Sequence, residues 1–109
     1  MTAFEPNRDS LQPRVVMLEK DLEQLVTRFL ERKQTELDRL RAAMTVGDFE
    51  TIRWLGHDLK GAGEGFGFPE LSILGARFEV AAKVRDAEQI AVHIATMERY
   101  LIRLQVRFG

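Results

Sequence analysis

There is no cysteine among the 109 residues. Disulfides and thiolate metal sites are therefore excluded, and the chain suits a reducing compartment such as the cytoplasm. Proline is scarce. Of the three, Pro6 and Pro13 stand near the start, so Pro69 is the one interruption in the remaining chain. Neither sign of charge dominates: 16 Lys and Arg meet 17 Asp and Glu, a net charge of −1. That balance gives no electrostatic case for nucleic acid or an anionic membrane surface. No apolar run approaches the roughly 20 residues of a membrane span, and the polar start, Met1 to Pro13, lacks a signal-peptide core. Two histidines as far apart as His57 and His93, with no compact carboxylate cluster, give no metal-ligand spacing. No glycine-rich nucleotide loop with its lysine is present either. Neither a metal nor a cofactor is expected on the chain itself.

What is present is apolar periodicity. Hydrophobic residues make up 45% and charged residues 30%, ordinary values for a globular protein, and the length suits one domain with a single core. Met1 to Arg14 has little periodicity and reads as a flexible lead-in over 1–14, with the folded domain over 15–109. Val15-Val16-Met17-Leu18 is a short apolar run of undecided conformation. A long helix is expected from Asp21, as its N-cap, to Val46, with Leu22, Leu25, Val26, Phe29, Leu37, Leu40 and Met44 as its stripe. Gly47 suits a helix C-cap and Asp48 the next N-cap. Phe49, Ile52, Leu55, Leu59, Ala62 and Phe66 then recur at spacings of three and four. Gly65 to Phe68 ends this second helix, and Pro69 suits the first position of a third, running to Val84. Its buried face is Leu71, Leu74, Phe78, Ala81 and Ala82. Asp86 with Gln89 resembles an N-capping pair for a last helix carrying Ile90, Ala91, Ile94, Met97, Leu101, Leu104 and Phe108. Four amphipathic helices with short connections predict an all-α, antiparallel up-down-up-down bundle.

The stretch from His57 to Gly67 stands apart, since it holds four of the chain's eight glycines. Each glycine inside a helix costs about 1 kcal/mol against alanine. At about 100° per residue, His57 falls roughly 170° from the centre of the apolar stripe and so points away from the core. The wheel leaves two readings open, a solvated surface histidine and a chemical one. Arg53, Trp54, Lys60 and Gly61 lie one turn from it, with Glu64 on the same side, and Trp54 is expected to be partly exposed. The hairpin about Gly47 sets the polar break at Lys33 and Glu36 level with His57. Those two either flank the stripe and reach solvent along their stems or take part in docking. His93, between Val92 and Ile94, has no comparable surroundings and is given no chemical role.

His57, Leu59, Lys60, Gly61 and Gly67 reproduce the H-x-L-K-G…G signature of histidine phosphotransfer (HPt) domains. Leu71, Leu74, Gly75, Phe78, Glu79 and Ala82 resemble that family's next helix. Phe29, Leu30, Leu37, Leu40, Gly47 and Asp48 resemble its preceding helix and turn. The resemblance spans about Asp21 to Phe108. It implies the same four-helix bundle, with a short extra N-terminal segment for which Val15 to Leu18 is the candidate.

The resemblance also implies a phosphorelay role, with His57 as phosphoacceptor. The partners it implies are receiver domains of response regulators or hybrid histidine kinases, which supply the phosphorylatable aspartate and the magnesium site. Lys60, three residues from His57, can pair with phosphoryl oxygens and disfavour the imidazolium form. Gly61 leaves clearance for a receiver loop, while Gly67 shapes the connection. Arg53, Trp54, Glu64, Lys33 and Glu36 are the expected docking residues. The protein is expected to be a cytoplasmic monomer without kinase activity of its own. The alternative is a helical adaptor that binds a signalling partner without being phosphorylated. The phosphoacceptor region of a histidine kinase fits less well, because its H-E-L-x-[TN]-P pattern sets proline near where Ala62 stands.

Overall fold

The computed structural model describes residues 19–108. The 1–14 lead-in and the extra segment at Val15 to Leu18 fall outside them. Four helices follow in order, α1 (Glu19–Thr45), α2 (Phe49–Phe66), α3 (Pro69–Lys83) and α4 (Ala87–Phe108). They form the expected antiparallel bundle: α2 packs on α1 and α3, and α4 closes the ring against both. Phe29, Leu37, Leu40, Ile52, Leu59, Leu71, Phe78, Ile90 and Met97 fill its centre.

The connections follow from local chemistry. Gly47 has φ +70, a left-handed conformation that costs glycine nothing. The turn it makes lets the Asp48 N–H donate to Ala43 O at 2.8 Å. Asp48 then caps α2, accepting from Thr51 N at 3.1 Å and from Thr51 Oγ1 at 2.6 Å. Gly67, at φ +78, ends α2, and Pro69 opens α3. Asp86 Oδ1 accepts from Gln89 N at 3.1 Å, as a cap for α4.

Three expectations need correction. Asp21 lies inside α1, which is already helical at Glu19, so it is not the N-cap. Leu22 and Leu25 are exposed. They continue the α1 stripe, but α1 has 27 residues and α2 only 18, so nothing of α2 faces them. Lys33 is buried in the core at 3% exposure and does not reach solvent along its stem. Its Nζ donates to both oxygens of Glu36, at 2.8 and 3.0 Å, and lies 5.3 Å from the centroid of the Phe29 ring.

The closest approach in the bundle is between α2 and α3. A Cβ on Gly56 would stand 2.8 Å from the Gly75 carbonyl oxygen, and one on Gly75 would stand 2.5 Å from the Gly56 carbonyl oxygen. Near the end of α2, a Cβ on Gly63 would meet Ser72 N at 2.5 Å. The obstacles are backbone atoms, which cannot swing aside. Gly75→Ala is therefore expected to destabilise the fold by about 1–3 kcal/mol through overpacking, despite alanine's advantage of about 1 kcal/mol as a helix former. Urea unfolding followed by circular dichroism checks this. An unchanged midpoint would show that the two helices separate at no cost.

Candidate functional site

His57 stands near the middle of α2 with its side chain 53% exposed, on the outward face that the helical wheel assigns it. Its neighbours on α2 and α3 define its chemistry. Nδ1 lies 3.3 Å from Glu79 Oε2 on α3, and the other oxygen of that carboxylate, Oε1, lies 3.4 Å from Lys60 Nζ. One carboxylate therefore bridges the imidazole and the ammonium. The close α2–α3 contact makes this possible, since Glu79 follows Gly75 by one turn of α3.

Two opposing effects set the charge of Glu79. Desolvation, the largest single influence, pushes its pKa up. The hydrogen bonds from Lys60 and His57, with their charges, outweigh it and hold the group below the usual carboxylate range. An ionised carboxylate only accepts hydrogen bonds. It thus favours the His57 tautomer with its proton on Nδ1, leaving the lone pair of Nε2 outward as a nucleophile. The one Glu79 carboxylate thus sets a negative charge against both the imidazole and the Lys60 ammonium.

Gly61, one turn after His57, is exposed, and a Cβ there would meet nothing within 4 Å. Its hydrogen therefore leaves open space beside the imidazole and is not required by packing. Trp54, one turn before, is 53% exposed as expected, and its ring stands edge-on to that of His57 at 6.1 Å between centroids. Arg53 stacks on that indole, 4.8 Å from its centroid. Glu64 is exposed about two turns after His57. The structure thus gathers Arg53, Trp54, Lys60 and Gly61 around His57.

Lys33 and Glu36 do not join this surface as a pair of docking charges. Burial removes the Lys33 ammonium from any partner, and the half-buried Glu36 carboxylate is engaged with it. Glu79 is the residue that sequence reasoning passed over, entering only as part of a family pattern. The available signal was an acid one turn after Gly75, at the edge of the buried face of α3.

His93 lies elsewhere, half-buried on α4 with its ring 5.7 Å from that of Phe78. Desolvation, aided by the charge of Arg77, holds its pKa below the ordinary histidine value. It lines an apolar groove of about 550 Å³ with Ile73, Val80 and Val84, which includes none of His57, Lys60 and Glu79. Among the described residues, no three His, Asp or Glu side chains gather to hold a metal, and no helix is long and apolar enough to cross a membrane.

A family model described as Hpt domain matches residues 24–106, well over half of the chain. Comparisons with curated proteins and with solved structures gave no significant match.

The contact with Glu79 is open to a direct check in the isolated protein. ¹⁵N spectra of neutral His57 should show mainly the Nδ1–H form. In Glu79→Ala the population should shift toward the Nε2–H form that free histidine prefers. An identical tautomer ratio in the two proteins would mean that Glu79 does not orient the ring.

Proposed function

The chain belongs to the Hpt domain family, and from that membership we propose that it relays a phosphoryl group between receiver-domain aspartates in a two-component phosphorelay, with His57 as the phosphoacceptor. The observation that carries this reading is the exposed imidazole, bonded through Nδ1 to Glu79 and bordered by the empty space at Gly61.

In the loading step, Nε2 attacks the phosphorus of a receiver's aspartyl phosphate. The P–N bond forms as the bond from phosphorus to the aspartyl oxygen breaks, and the aspartate leaves as its carboxylate. No proton has to move. The ring keeps its Nδ1–H and becomes positively charged, and Glu79 faces that charge. In the unloading step, a carboxylate oxygen of a second receiver attacks phosphorus and the P–N bond breaks, returning neutral imidazole.

Phosphoryl transfer needs in-line positioning and neutralisation of the spreading charge. The receivers supply magnesium and the aspartate. This chain supplies the nucleophile, the Lys60 cation for the phosphoryl oxygens and the Gly61 clearance, and adds no kinase activity. The docking face is Arg53, Trp54 and Glu64 around His57. The encounter is a small transient one between a cytoplasmic monomer and receiver domains of response regulators or hybrid histidine kinases.

His57→Gln should abolish acid-labile labelling from a phosphorylated receiver and leave the helical circular-dichroism spectrum intact. Undiminished labelling would overturn the assignment. A wild-type protein that binds a receiver and takes no label would instead fit an adaptor.

Gly61→Gln separates clearance from folding. The longer side chain should slow transfer at least tenfold, while the unfolding midpoint stays the same or rises, since glycine is the poorer helix former by about 1 kcal/mol. Transfer at the wild-type rate would remove clearance from the account. Lys60→Ala should slow transfer or shorten the phosphohistidine lifetime without loss of receiver binding. Equal rates in both directions would reduce it to a partner of Glu79.

A further inference from the structure

Glu50 lies two turns before His57, in the first turn of α2, and one of its oxygens organises the indole beside the histidine. Oε2 accepts from Trp54 Nε1 at 3.0 Å and from Arg53 Nη2 at 2.9 Å. Arg53 in turn lies over the Trp54 ring, and that ring meets His57 edge-on. The spacing explains the arrangement. Residues three and four positions on from Glu50 share its side of the helix, so one carboxylate serves both donors. The first turn also favours an anion, because the helix dipole is positive there.

An exposed tryptophan without partners would sample several rotamers and lose that freedom on binding. Here three contacts from three different side chains hold it before any partner arrives. Glu50 is ionised to well below neutral pH: the hydrogen bond from Arg53, then its charge, then the bond from Trp54 lower its pKa.

We propose that Glu50 is a positioning residue, which presets Trp54 and Arg53 as one rigid platform for the receiver beside His57. The indole presents an apolar face one turn from the nucleophile. The guanidinium spends one nitrogen on Glu50 and keeps further N–H donors for carbonyl or carboxylate oxygens of the partner. Glu50 itself touches no reacting atom. Its effect belongs to association and not to the transfer step. The inference rests on the docking face proposed above, and the two fail differently.

Trp54 is the only tryptophan, so its emission reports on the platform alone. In the free protein, time-resolved anisotropy should show a restricted indole. Glu50→Ala should add a fast local depolarisation. Glu50→Gln, which keeps an acceptor for Nε1–H and loses the charge facing Arg53, should restore part of the restriction. Circular dichroism should be the same for all three proteins.

With a receiver that exchanges label with the wild-type protein, Glu50→Ala should weaken association roughly three- to tenfold and leave the transfer rate at saturating receiver unchanged. Equal anisotropy in wild type and Glu50→Ala would overturn the positioning role. So would a freed indole with undiminished receiver affinity. Trp54→Ala distinguishes the two failures. If it leaves affinity intact, the docking face is wrong. If it weakens binding and Glu50→Ala does not, only the role of Glu50 falls.

Discussion

Two helix backbones touch where Gly56, Gly63 and Gly75 present no side chain, and the site on the surface above depends on that contact. Helices separated by ordinary side chains lie about 8–10 Å apart. Removing the side chains from both faces lets α3 come in against α2 until backbone meets backbone. Glu79 rides on this approach and reaches both Lys60 and His57 from the neighbouring helix. The glycines thus set the electrostatics of the imidazole without touching it. Their cost as poor helix formers is set against a geometry that no residue with a Cβ could reproduce at those positions.

The molecule uses charge in two unlike settings. Around His57 the pairs are solvent-facing and reversible, the kind of interaction that contributes little to stability. Lys33 is the opposite case. Its ammonium is enclosed between Phe29 and Glu36, where a charge is tolerated only with its partner in place. Phe29 stacks on Phe68 at 5.1 Å between ring centroids, which connects this buried pair to the α2–α3 turn. The hidden cation belongs to the framework, and the exposed ones surround the histidine.

Much of this was legible along the chain because its causes are local. Gly47, Asp48, Gly67, Pro69 and Asp86 announce the turns by their own conformational and hydrogen-bonding preferences. Periodicity alone turns His57 and Trp54 outward and brings Leu71, Leu74 and Phe78 in. What escaped is what depends on a second helix. The burial of Lys33 and the exposure of Leu22 and Leu25 follow from which element stands opposite, and a wheel drawn for α1 alone does not contain that. Gly56, Gly63 and Gly75 are separate glycines in the sequence and become one seam only when α2 and α3 meet. Glu79 acquires its two partners from the same event. Glu50 is the exception, since its spacing to Arg53 and Trp54 was visible and only its shared oxygen was not.

The unequal lengths of α1 and α2 have a consequence for how the fold opens. At about 1.5 Å per residue, α1 is roughly 40 Å long and α2 roughly 27 Å. Tyr100 reaches Glu70 at the start of α3, so the last turns of α4 also run beyond the shorter pair. The bundle is four helices deep around His57 and two deep past the α2–α3 turn. Amide exchange should therefore be graded along α1, fastest toward Glu19 and slowest where Leu37 and Leu40 face the full core. Fraying of the two-helix end should therefore leave the backbone beneath His57 in place.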